Sequence, residues 1–240
     1  MNFNPILLSI KIKPDIILDM VKVETEPFFI GGENGSFDGM KRVVNIEKDF
    51  YISKFEITQK QWAAIMQSPA PTKYPGPNRP LDEVSLEDAM NFCNKISQIT
   101  GLTFTLPTEA QWEFAAKGGK YSQGYILAGG NNPELLFSKN EIDDGYQSLT
   151  YDVGLFPPNE LGLYDMNSNV SEWCVMANSD KYGGGAGSDV LKGGIMGDEG
   201  GLIWEECSIA EQIGESADSY SPNVGFRVVL CCLLYTSDAA

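Results

Sequence analysis

Histidine is absent from all 240 residues. That removes Ser-His-Asp and Cys-His catalysis, zinc sites with imidazole ligands and iron sites built from imidazole and carboxylate. Basic residues are scarce, with 17 against 33 acidic ones and a formal charge of -16. Such a surface repels a phosphate backbone, so nucleic acid is excluded as a partner. The five cysteines, Cys93, Cys174, Cys207, Cys231 and Cys232, show neither CxxC spacing nor a regular framework, which argues against a zinc ribbon and a disulfide scaffold. Cys93 at a helical apolar position and Cys174 directly after Trp173 are expected as buried thiols. No apolar run reaches the length of a membrane span. The first 23 residues lack a positive head, apolar core and cleavage site, so the chain as written carries no export signal; its compartment is left open.

What is present suits one folded unit: 42% hydrophobic and 11% aromatic residues in a length that buries a sizeable core. Residues 1–18 read as an N-terminal extension and 19–230 as the domain. Residues 231–240 read as a non-native tail, because 232–240 (CLLYTSDAA) looks like a translated sequencing adapter at the end of a bacterial metagenomic gene. Short strands are expected over 20–23, 28–30 and 43–46. A first helix opens at Thr58 with Gln61 as capping partner, its inward face formed by Trp62, Ile65 and Met66. Five prolines over 69–80 end it in an irregular loop. A second helix runs from a Ser85 cap to a Gly101 stop, with Leu86, Ala89, Met90, Cys93 and Ile96 on its apolar side. A third starts at Thr108 with Gln111 and carries Trp112 and Ala115 inward. Residues 120–158 lack periodicity, as expected of a long functional or ion-organised loop.

Several blocks occur in a fixed order: 28–32 (FFIGG), 50–62 (FYISKFEITQKQW), 84–93 (VSLEDAMNFC), 106–119 (LPTEAQWEFAAKGG), 156–173 (FPPNELGLYDMNSNVSEW), 192–194 (KGG) and 223–229 (NVGFRVV). Together they make the chain resemble the formylglycine-generating-enzyme, or sulfatase-modifying-factor, family. The resemblance implies an α+β, C-type-lectin-like fold with small antiparallel sheets, two to three helices and much irregular loop. Proteins that resemble the chain are often exported. The histidine-ligated iron of the related sulfoxide synthases has no counterpart in a chain without histidine.

Oxidases of this family convert a substrate cysteine to formylglycine with copper held by two thiolates between the GG turn and the GFR ending; soft thiolates suit Cu(I). Residues 193–226 hold one cysteine, Cys207, and the stretch 195–204 (IMGDEGGLIW) has none, so copper is not expected. Thr105 stands where the family has arginine, and no basic residue lies between Lys192 and Arg227. The family's structural calcium implies side-chain oxygens from Asp165 and Glu172 with carbonyls of Ser168 and Val170, and a second site from Asp144 and the Tyr146 carbonyl, with Ser138. Solvated loop charges or Asx turns are the plainer alternative for these acids. Trp204, Glu205, Glu206 and Cys207 fall in the segment that forms the family's substrate groove. An aromatic anchor rimmed by carboxylates suits a protein, a peptide or a small cationic ligand; the plainer alternative is Trp204 as core. Three functions follow in order: a non-catalytic ligand- or protein-binding member, a copper-dependent oxidase acting on a sulfatase cysteine, and a retroelement-diversified ligand-binding protein.

Overall fold

The first strand, β1 (Leu7–Lys13), alternates exposed and half-buried residues, the period-2 signature of a sheet edge with one covered face. A two-residue turn returns it into β2 (Ile16–Val23), paired antiparallel from Leu7↔Val21 to Lys13↔Ile16. This is the computed structural model of the chain, describing residues 5–32, 41–132, 150–176, 188–193, 208–210 and 213–231. The expected domain start at residue 19 falls inside β2, whose Ile16 and Leu18 are already buried. The hairpin that includes residues 7–18 is thus continuous with the main sheet.

Next come β3 (Phe28–Ile30) and β4 (Arg42–Val44), which pair as a separate ribbon, and β5 (Phe50–Ser53). Helix α1 (Gln59–Met66) has the expected Thr58–Gln61 capping box. Buried Gln59 organises the proline-rich loop after it. Its amide donates to Thr72 Oγ1 and to the Tyr74 and Pro80 carbonyls at 3.0–3.1 Å, and accepts from the Gly76 N–H at 2.9 Å.

Helix α2 (Leu86–Thr100) starts on a Ser85–Asp88 capping box and stops at Gly101, which takes a left-handed φ of 72°. Met90, expected on the apolar side, is 47% exposed, while Phe92 is buried. Met90 lies about 100° around the helix from the centre of the buried stripe, at 100° per residue. Strand β6 (Phe104–Thr105) precedes α3 (Glu109–Ala116), capped by Thr108 and Gln111 as its sequence requires.

The remaining strands are β7 (Ser171–Cys174), β8 (Ser188–Lys192), β9 (Ile213–Ser216), β10 (Val224–Gly225) and β11 (Val229–Cys231). The main sheet has the order β1-β2-β5-β11-β6 and a second sheet β10-β7-β8-β9. All described pairs are antiparallel except β10 with β7. The resulting α+β architecture agrees with expectation.

Because β2 is buried on both faces, two cores form. Leu18 and Met20 pack with Trp62, Phe92 and Phe226 under α1 and α2. Val21 and Val23 pack with Phe50, Trp112 and Phe114 against α3. Trp62 stacks on Phe92 at 5.9 Å, and Phe92 meets Phe226 edge-on at 5.3 Å.

Candidate functional site

The blocks that carry the resemblance meet in the interior at charged residues, which are rarely buried unless paired. Arg227, from the NVGFR block, is fully buried at the start of the β11 segment. Its guanidinium engages both oxygens of Glu172 on β7, with Nε to Oε2 at 2.6 Å and Nη2 to Oε1 at 2.7 Å. Nη1 donates to the Ser53 carbonyl at 3.0 Å and Nη2 to the Tyr164 carbonyl at 2.9 Å. This fork geometry is what arginine supplies and lysine does not. The indole N–H of Trp112 completes Glu172 by donating to Oε2 at 2.7 Å.

The next residue of α3 anchors a second buried pair. Glu113 Oε2 accepts from Lys192 Nζ at 2.9 Å, while Oε1 accepts from the Gly31 N–H at 2.7 Å and from Lys117 at 2.6 Å. Lys192 also donates to the Ala210 carbonyl at 3.2 Å and lies 5.7 Å from the Trp112 ring centroid. Trp112 and Glu113 therefore join the FFIGG turn, β7, β8 and the GFR arginine through one short helix. The LPTEAQWE block acts as scaffold.

Two further acids face this hub. Glu56 accepts from Asn169 Nδ2 at 2.8 Å and from the Val170 N–H at 3.1 Å. Burial, then the nearby Asp165 and Glu172 carboxylates, holds its carboxyl well above the usual range. Asp165, with a left-handed φ of 60°, accepts the Gly154 N–H on Oδ2 at 2.7 Å, while its buried Oδ1 has no hydrogen-bond partner among the described residues. Burial pushes its pKa up to about 6. Asp165 lines a narrow cleft whose walls include Ala128, Phe156, Pro157, Leu163 and Met166.

Of the sequence-marked metal residues, Asp165, Ser168, Val170 and Glu172 lie along one stretch leading into β7, all buried. Calcium takes six to eight oxygens, commonly with more than one carboxylate. Both Glu172 oxygens already serve Arg227 and Trp112, so in this arrangement Asp165 Oδ1, itself buried, is the one carboxylate oxygen of the stretch without a hydrogen-bond donor among the described residues. Among the described residues no three Asp, Glu or Cys side chains gather as a metal-ion group. Ser138, Asp144, Tyr146, Trp204, Glu205, Glu206 and Cys207 lie outside the described residues.

The described free thiols do not suit copper. Cys93 belongs to the core under α1 and α2, and Cys174 to the core against α3. Burial pushes the Cys93 thiol up to about 12 and Cys174 well above its ordinary value, whereas a metal ligand must be a thiolate. Sequence reading did not mark Glu56, Glu113, Lys192 or Arg227 as a connected set. The available signal was a lone charge inside an otherwise apolar block, as with Glu56 between Phe55 and Ile57.

The family pattern and the hub coincide over residues 13–231, which match the model of the sulfatase-modifying factor enzyme 1-like domain. The chain belongs to this family. Relatives include the chaperone protein LppX of Paenibacillus barcinonensis, 33% identical over 52% of this chain and 61% of that protein. The inactive C-alpha-formylglycine-generating enzyme 2 of Mus musculus is 34% identical over 62% of this chain and 48% of its own length. The formylglycine-generating enzyme of Streptomyces coelicolor is 32% identical over 63% and 52% respectively. The chain thus spans roughly half to three fifths of the length of these relatives. Among solved structures, Treponema denticola variable protein 1 superposes with a TM-score of 0.79 at 23% identity, covering 95% of this chain and all of that one. PvdO of Pseudomonas aeruginosa superposes at 0.74 with 20% identity, covering 94% and 98%. At these identities the likeness concerns the fold.

Proposed function

We propose that the chain is a non-catalytic member of the sulfatase-modifying-factor family that binds a protein, a peptide or a small cationic ligand. The thiol inventory carries this reading: one cysteine, Cys207, stands in the segment where the family's oxidases hold copper with two. Cys93 and Cys174 are buried in separate cores. Relatives named as inactive or as a chaperone support the same reading, while another is named formylglycine-generating enzyme and fits the oxidase reading that the test below addresses.

The test is to measure Cu(I) binding and oxygen-dependent conversion of a cysteine-containing sulfatase-type peptide. The expected results are no stoichiometric copper and no aldehyde product. Sustained turnover abolished by Cys207→Ser would overturn the proposal and make the protein an oxidase with a different ligand set.

A further inference from the structure

We propose that two copies of the chain associate edge to edge through β1, joining their main sheets across a two-fold axis at Ser9. In the main sheet β1 is an end strand, and among the described residues no strand pairs with its other side. The ladder fixes which backbone groups are left over. Lys22 N–H donates to the Ile6 carbonyl at 2.9 Å and Leu7 stands opposite Val21, so the alternate residues Leu8 and Ile10 bond to β2. The N–H and C=O groups of Leu7, Ser9 and Lys11 therefore point outward, a row of donors and acceptors that templates another strand.

Natural edges are commonly blunted by a proline, an inward-pointing charge or a bulge. From Ile6 to Ile10 this edge has none of them, and the bulge in the β1–β2 ladder lies beyond, between Lys11 and Lys13. The inward face, Leu8, Ile10 and Ile12, is wholly apolar but only half-buried at the margin of the core under α1 and α2. Ile6, next on that face, is 52% exposed. A second copy completes this face. Antiparallel pairing centred on Ser9 sets Leu7 against the second copy's Lys11 and Ser9 against its Ser9, so outward groups meet outward groups along the whole row. On the apolar face the same register sets Leu8 against the second copy's Ile10 and Ile6 against its Ile12, aliphatic on aliphatic. Charge agrees with it. β1 (LLSIKIK) carries two lysines and no acid in a chain of net charge -16, and Lys11 meets leucine rather than another lysine. Paired strands of this length bury less than a standard interface, so the dimer is weak, with a dissociation constant on the order of 100 µM.

Sedimentation equilibrium from about 10 µM to about 1 mM should show monomer passing reversibly into dimer and nothing larger, because the two-fold consumes the β1 edge of each copy. Over that range amide hydrogen exchange at Leu7, Ser9 and Lys11 should slow by about fourfold, following the fall in monomer fraction, whereas Leu8 and Ile10 are protected by β2 throughout. Ser9→Pro removes an outward N–H and leaves the bonds to β2 intact, so it should still melt cooperatively and associate at least tenfold more weakly. Ile6→Lys, at an already exposed position, sets a charge against the second copy's Ile12 and should weaken association to the same degree. A chain that stays monomeric throughout leaves the edge to a foreign strand or to none and overturns the proposal. Protection of Leu7, Ser9 and Lys11 in the dilute monomer overturns it as well, since another segment of the chain then covers the edge. So does a dimer that neither variant weakens.

Discussion

Replacing Arg227 with methionine preserves bulk and removes the one cation that satisfies Glu172. The variant deletes four hydrogen bonds of 2.6–3.0 Å, two to the carboxylate and one each to the Ser53 and Tyr164 carbonyls. Glu172 then remains buried on β7 with Trp112 as its donor and with the Glu56 and Asp165 carboxyls nearby and no cation beside it. Breaking one side of a buried pair costs about 3–5 kcal/mol, most of it the penalty of stranding the other charge. At about 2–4 °C per kcal/mol for a domain of this size, the melting temperature should fall by roughly 6–20 °C. Equilibrium urea unfolding would give the free energy directly, with an unchanged m-value certifying that the folded state is intact. If charge stranding is the main cost, adding Glu172→Gln to Arg227→Met should restore part of the loss, because a neutral amide still accepts from Trp112. A single variant that loses less than about 1 kcal/mol, or a double variant no better than the single, would refute the hub as the organising interaction.

Asp165 has a folded pKa of about 6 against an ordinary 3.8, so the folded state binds more protons than the unfolded one between those values. Its contribution is fully present below about pH 4 and is lost as pH rises through 6, by at most about 3 kcal/mol for two pKa units. Unfolding measured from pH 4 to 7 should show that downward slope diminished in Asp165→Asn; an unaltered slope would contradict it. Asp82, pushed up to about 6 chiefly by burial, contributes with the same sign and should leave a residual slope. Glu83 adopts a left-handed φ of 53°, so Glu83→Gly should stabilise by up to about 1 kcal/mol, read as a shift in urea midpoint. A Cβ on Gly225 would stand 2.3 Å from the Leu81 carbonyl oxygen. Gly225→Ala should cost about 3 kcal/mol or more, seen as lost soluble yield or a collapsed thermal transition. Thr108→Ala, which removes half of the α3 capping box, should cost about 1 kcal/mol by the same urea assay.

The helix boundaries were legible because they are written locally. Thr58 with Gln61, Thr108 with Gln111 and Ser85 with Gly101 carry their own capping chemistry, and each helix follows it. Met90 and Phe92 show the limit of that reading. Both are apolar on α2, and which of them is buried depends on where the sheet lies. The start of the domain was less legible: Ile16 and Leu18 follow an alternating segment whose membership of the sheet is decided by the β2–β5 pairing.

By itself, the sequence determined the family pattern, the absence of imidazole chemistry and the single cysteine between the GG turn and the GFR ending, since these depend only on which residues are present and in what order. Tertiary structure alone decided what the surviving acids do. Asp165 and Glu172 look equivalent as two carboxylates seven residues apart, yet Glu172 is saturated by an arginine 55 residues away while Asp165 keeps a buried oxygen with no hydrogen-bond partner among the described residues. The reason is physical: the charge state and availability of a buried group are set by its partners in space, and those partners come from strands that meet only when the two sheets are assembled.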